Sequence, residues 1–456
     1  MTDSYGLLFQ RVLLPGWESA IRGRPTLRHV KRLERTQWCS LDELRAFQET
    51  ELRTLLLHAW HNVPHFARRF QLAGLGPDDV KTVEDLRKLP ILTRAEAALS
   101  FQARKSTAAP LPVIDKMTSG TSGAPLTFAY DRGSEFWRQA IKLRGYGWAG
   151  YRPGDRSLHF WGSAQALCSP LSQRLKISLD RAIRREHYLK CTDRSEEALA
   201  AVVRQIRELS PSVIICYAQA GVALARHVNE TNTRDWPDIP VIVGAERLFP
   251  ADRAVIAEAF GHGIFETYGS REVMLMAAEC EAHEGLHVSM ENILVELIVR
   301  EAGVERPARP GEIGEVVITD LHNFGAPFIR YLNGDSAVER SPARCACGRS
   351  LTRLERVEGR TNDTLRDGAG RPVSGLFFNV LFAELADKVR QFQVVQRRDR
   401  AIDLKIVPLA SFDDAQLEFV RKHCTKHIPG ITLRTELVAE LNPDRGGKLR
   451  VVVVEN

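Results

Sequence analysis

Thr118-Ser119-Gly120-Thr121-Ser122-Gly123-Ala124-Pro125 is the stretch on which the fold of this chain turns. Six of its eight residues are glycine, serine or threonine, so the backbone can bend until several N–H groups face one point. The hydroxyls add donors, and such a concavity suits phosphate oxygens. The same composition also describes a flexible linker. No Lys-Ser or Lys-Thr pair closes the loop, which separates it from the phosphate loop of the common nucleotide hydrolases. The decision between cradle and linker rests on the segments around it.

The chain has 456 residues, a length that implies two or three domains. Apolar residues make up 44%, which excludes global disorder. The net charge of +6 comes from cations scattered among nearly as many acids, without the clustered basic stripe of a nucleic-acid binder. Short runs such as Arg184-Arg185 and Arg397-Arg398 read as solvated surface. No run of about 20 apolar residues exists, so neither a transmembrane helix nor stable membrane insertion is expected. The first six residues lack the basic region and apolar core of a secretion signal. Eight cysteines, mostly isolated, then point to a reducing cytoplasm. Leu7, Leu8, Phe9, Val12, Leu13 and Leu14 predict an amphipathic turn or two, expected to pack on the body of the protein rather than on a membrane.

Periodicity orders the rest. Leu44, Leu52, Leu55, Leu56, Leu57 and Trp60 recur at near-helical spacing until Pro64 interrupts, and residues 1–110 read as a mostly helical cover. Ser195 to Leu209 and Ala218 to Asn229 read as helices, Ser212 to Tyr217 and Pro240 to Val243 as buried strands. That alternation predicts an α/β body with a mostly parallel sheet, its ligands at the carboxyl ends of the strands. After about residue 360 the texture changes. Gln393 to Gln396 and Ile402 to Val407 predict an antiparallel pair, Asp413 to His427 a helix and Leu449 to Val454 a last strand. The expected organisation is a body over 1–359 and a small α+β unit over 360–456.

Further segments follow the loop in a fixed order. They are Gly244-Ala245-Glu246, Tyr268-Gly269-Ser270-Arg271-Glu272, Arg330-Tyr331-Leu332-Asn333-Gly334-Asp335, Gly359-Arg360-Thr361-Asn362-Asp363 and Gly447-Lys448-Leu449-Arg450. Singly each is a common turn. Together they resemble the acyl-adenylate-forming ligases, in particular the phenylacetate–CoA ligase branch with its capsular-polysaccharide relatives. The stretches His58 to Phe66 and Leu89 to Thr93 also look typical of that branch.

The resemblance implies a chemistry. A carboxylate attacks the α-phosphorus of ATP, pyrophosphate leaves, and the acyl group of acyl-AMP passes to coenzyme A. Two anions must meet, so cations and donors are needed. By resemblance, Thr118, Ser119, Gly120, Thr121, Ser122 and Gly123 cradle the β- and γ-phosphates. Tyr268, followed by Gly269, stacks on adenine, and Gly244, Ala245 and Glu246 line the same pocket. Glu272 holds Mg²⁺, a hard ion that takes carboxylate and phosphate oxygens. Asp335 accepts from the ribose hydroxyls, and Arg360 lies near ribose or phosphate. Lys448 is the mobile catalytic cation, carried by a small domain that swings about residues 360–363. The implied partners are a small carboxylic acid, ATP and coenzyme A, with a homodimer at family level.

Departures leave alternatives open. Ala124 stands where many relatives carry lysine, and Leu332-Asn333 where arginine and threonine are frequent. Arg271 replaces a frequent threonine and either adds charge at the α-phosphate or faces away. The acceptor is coenzyme A or, as the rival reading, an amine or hydroxyl. A nucleotide-binding relative without turnover is a third reading, against which Glu272, Asp335 and Lys448 argue. Cys345 and Cys347 are too close in sequence for a relaxed mutual disulfide. With Cys280 and one histidine they make a tetrahedral structural Zn²⁺ set, on segments similar to zinc-bearing ones in the branch. His287 is preferred to His283 for the fourth ligand; reduced free thiols are the alternative.

Overall fold

In this computed structural model the described residues are all those of the chain except 1–2, 119–125, 162–170, 192, 302–303, 341–342, 361–364, 371, 374–375, 386, 443–448 and 456. Twelve strands form one sheet. In spatial order they are Val304–Pro307, Ile293–Glu301, Ile313–Asp320, Tyr331–Glu339, Arg353–Arg360, Leu286–Val288, Met274–Glu279, Ile264–Ser270, Val241–Gly244, Val213–Tyr217, Ser157–Trp161 and Glu186–Lys190. The ladder is parallel only from Ile264–Ser270 to Glu186–Lys190. Every other pairing in it is antiparallel. The parallel pairing expected from helix–strand alternation therefore accounts for four of the eleven pairings in this sheet, and antiparallel strands make up the rest.

Local chemistry sets the boundaries. Ser40 and Glu43 form a reciprocal capping box at the start of the helix Leu41–Asn62. That helix buries Leu44, Leu52, Leu55, Leu56 and Ala59 against the antiparallel half. Pro64 opens the next helix, Pro64–Leu72, at the turn where its missing N–H costs nothing. Ser195 caps the helix Glu196–Leu209 through the Ala198 N–H. Residues from Leu365 onward build their own core around Phe378, Phe392, Leu404 and Val420. Its sheet pairs Val389–Gln396 antiparallel with Ile402–Pro408, and parallel with the short strand Val452–Val454.

The amino-terminal segment departs from expectation. Phe9 and Leu14 are buried, but Leu7, Leu8, Val12 and Leu13 are exposed. The segment is wound as π-helix over Phe9–Leu13 and Gly16–Ile21, which rotates apolar residues away from the body.

Candidate active site

The phosphate-loop candidate joins two antiparallel strands, Val113–Met117 and Thr127–Asp131, and its ends are zipped together. The Thr118 N–H donates to the Leu126 carbonyl at 3.0 Å, and the Leu126 N–H donates to the Thr118 hydroxyl at 2.8 Å. Ser119, Gly120, Thr121, Ser122 and Gly123 lie outside the described residues. Thr118 also accepts from the Arg94 guanidinium at 3.2 Å, and Arg94 pairs with Glu272 at 3.2 Å. Glu272 is 2% exposed, so its carboxylate is shielded from water and faces the Arg94 guanidinium. The Tyr331 hydroxyl reaches the same carboxylate oxygen at 3.5 Å. Arg94 is a site residue that sequence reasoning passed over. It opens a helix capped by Thr93, and nothing local marks it.

Two glycines are demanded by close approach. A Cβ on Gly244 would sit 2.6 Å from the Thr267 hydroxyl, and one on Gly269 would sit 2.2 Å from the Met274 carbonyl oxygen. Between them Ala245 holds a left-handed φ of +68°, a strained conformation of the kind stored at functional sites. The strand that follows brings Tyr268 to Asp335. The Tyr268 hydroxyl donates to Asp335 Oδ2 at 2.8 Å. Asn333 donates to the Tyr268 oxygen at 2.8 Å and to Asp335 Oδ2 at 3.0 Å. The Asn333 departure thus orients both residues. Arg360 lies opposite Asp335 in the neighbouring strand, with its side chain outside the description. Arg271 is exposed.

Glu246 joins the body to the carboxyl-terminal unit. Its Oε2 accepts the Gln219 N–H at 2.9 Å and its Oε1 accepts the Leu449 N–H at 2.8 Å. A second polar contact lies nearby, where Gln391 donates to Gln219 at 2.8 Å and to buried Asp252 at 3.0 Å. Lys448, one residue before Leu449, lies outside the described residues.

Behind this site, burial and the neighbouring carboxylate of Glu279 push the Glu266 pKa from 4.5 up to about 7. Arg253 and Arg247 oppose the rise and Glu358 adds to it. The unfolded chain releases this proton first as pH rises, so stability falls between pH 4.5 and 7. Glu266→Gln is expected to flatten the decline of melting temperature over that window, a difference of about 3 kcal/mol at most. Thermal melts from pH 5 to 8 measure it.

Below the antiparallel half, Cys280, His287, Cys345 and Cys347 bring their ligand atoms within 4.8 Å of one another. Cys280 and Cys345 sulfurs are 3.7 Å apart, and Cys347 Sγ is 3.4 Å from His287 Nε2. Those separations lie within about 0.1 Å of the edges of a zinc tetrahedron, roughly 3.5–3.8 Å for ordinary Zn–S and Zn–N bonds. His287 Nδ1 faces the Leu351 carbonyl at 3.3 Å, the outer contact that leaves Nε2 as the donor atom. His283 stands apart, facing Glu279 at 3.6 Å and packed on Phe265.

No family model matches the chain. Over 457 aligned residues it is 26% identical to a phenylacetate–coenzyme A ligase of Thermus thermophilus, covering 90% of this chain and 96% of that one. It is 27% identical to the Escherichia coli phenylacetate–coenzyme A ligase over 73% of this chain and 75% of the relative. Protein CapK of Staphylococcus aureus is 22% identical over 56% of each chain. A solved structure of a 2-hydroxyisobutyryl-CoA ligase in its postadenylation state shares the fold, with a TM-score of 0.66, 20% identity and 92% of both chains covered. Across most of its length the chain is similar in sequence to phenylacetate–coenzyme A ligases, and it shares the fold of the 2-hydroxyisobutyryl-CoA ligase.

Proposed function

We propose that the chain is an ATP-dependent, AMP-forming carboxylate ligase that passes its acyl group to coenzyme A. The observation that carries this is the grip of Glu246 on the Leu449 N–H. It ties the residue after Lys448 to the rim formed by Gly244 and Ala245, where a cation is needed between a carboxylate and the α-phosphate. Thr118 and the loop it closes would receive the terminal phosphates. Tyr268 would offer its ring to adenine, with Asp335 accepting from the ribose. Glu272 would hold Mg²⁺, which supplies charge neutralisation on the phosphates. Glu272 already faces Arg94, so the guanidinium and the ion would share one carboxylate.

The first half-reaction joins a carboxylate oxygen to the α-phosphorus and releases pyrophosphate. In the second, a thiolate replaces AMP at the acyl carbon. Residues 360–363, lying between the body and the separate carboxyl-terminal core, are proposed as the hinge that exchanges the two arrangements. Coenzyme A as acceptor rests on the relatives' names. Quantifying AMP release with coenzyme A, amines and sugars as acceptors tests it. Thiol-dependent release supports the reading, and release only with an amine or hydroxyl replaces it. The Cys280, His287, Cys345 and Cys347 cluster is proposed as a structural zinc site that ties two loops together.

Glu246→Ala is expected to slow acyl-AMP formation about tenfold, the worth of one charge-assisted hydrogen bond. Thioester formation from supplied acyl-AMP should stay near the parent rate. Single-turnover assays of the two half-reactions read the split.

A further inference from the structure

The π-winding of the amino-terminal segment has a consequence for the surface. Its hydrogen bonds run from i to i+5, so one turn takes more than four residues. Leu8, Val12, Trp17 and Ile21 stand four, five and four residues apart, a spacing that this winding gathers into one stripe. Continuous α-helical winding would carry Trp17 to the side opposite Leu8. All four are between 42% and 69% exposed. The other side of the segment supplies Phe9 and Leu14 to the body.

A second apolar face adjoins the first. The helix Leu171–Arg184 belongs to the crossover between the parallel strands Ser157–Trp161 and Glu186–Lys190. A helix in that position ordinarily lays its apolar stripe on the sheet. Here none of its described residues is buried. Leu175, Leu179 and Ile183, each four apart, are between 43% and 70% exposed. The two segments touch, since the Tyr5 hydroxyl donates to the Ile183 carbonyl at 2.7 Å and Asp3 pairs with Arg185 at 2.8 Å.

Charge decides what such a face fits. Arg11, Arg22, Arg174 and Lys176 are exposed and make no ion pair among the described residues. The acids of the two segments, Asp3, Glu18 and Asp180, are each already paired with an arginine. A second copy of this face would bring like charges together, and an uncharged apolar partner would leave the cations unmatched. An anionic lipid surface meets both demands, with acyl chains for the stripe and phosphates for the rim. We propose that the segment Ser4–Ile21 and the helix Leu171–Arg184 form a docking face that seats the protein peripherally on an anionic bilayer. The protein lies on the lipid without spanning it, in keeping with the lack of a membrane-crossing helix among the described residues.

Flotation of the full-length protein with phosphatidylcholine vesicles, with and without phosphatidylglycerol, tests the proposal. Binding should be about tenfold or more tighter to the anionic vesicles and should weaken with salt. A Leu8→Ser/Val12→Ser/Trp17→Ser/Ile21→Ser variant and an Arg11→Glu/Lys176→Glu variant should each lose about tenfold or more of that affinity. Both should keep the parent melting temperature and pyrophosphate exchange. Equal binding to both vesicle types, no binding, or binding untouched by the substitutions overturns the proposal. A parent dimer that the serine variant converts to monomer, with neither bound to vesicles, assigns the face to a second copy instead. These outcomes are independent of whether the chain activates an acid.

Discussion

Lys448→Ala should lower acid-dependent ATP–pyrophosphate exchange by about a hundredfold or more, close to 2.7 kcal/mol of transition-state stabilisation. The reason is electrostatic. Two anions must be brought together at the α-phosphorus, and the proposed cation directly precedes Leu449, whose N–H is held by Glu246. Nucleotide affinity should change only a few-fold, because that cation acts as charge moves rather than in the ground state. Thioester formation from supplied acyl-AMP should survive, since the lysine is proposed to act only in the first half-reaction. A uniform loss of both half-reactions would mean that the substitution damages the fold. A variant with full exchange would remove Lys448 from the mechanism.

Removal of the proposed zinc ion carries the second large effect. Purified protein should contain about one zinc per chain by elemental analysis. Cys280→Ser and Cys345→Ser should each abolish it and lower stability by about 3 kcal/mol or more, the range reached when a structural metal is lost. Both sulfurs are buried, so without an ion they face each other across 3.7 Å with little access to water. Glu281 pairs with Arg349, and Arg349 stacks on Trp38 and Trp148 beside the cluster, so loosening there reaches the helical cover. His283→Ala should leave the zinc content unchanged. Metal-free parent protein of undiminished stability would assign the four residues to an unliganded cluster.

Much of the fold could be read from the chain because its signals are local. Pro64, Ser195 and the alternating Ile402, Leu404 and Ile406 each mark an element within a few residues. The antiparallel half was hidden by the opposite cause. From residue 264 to 360 strand follows strand, and only pairings such as Leu297 with Val316 reveal the hairpins. The candidate site divides in the same way. Gly244 and Gly269 stand where backbone and side chains crowd, so their identity carries the signal. Arg94 meets Glu272 across 178 positions, and Asn333 meets Tyr268 across 65, distances at which no sequence pattern operates. The π-helical turns near the amino terminus likewise have no marker in composition. Their exposed stripe followed only from the winding.

The most direct test of adenylation is ATP–pyrophosphate exchange by the parent protein over a panel of aryl, aliphatic and amino acids. Exchange that requires both Mg²⁺ and at least one of these acids is the expected result. Nucleotide binding without exchange for any acid in the panel would contradict it.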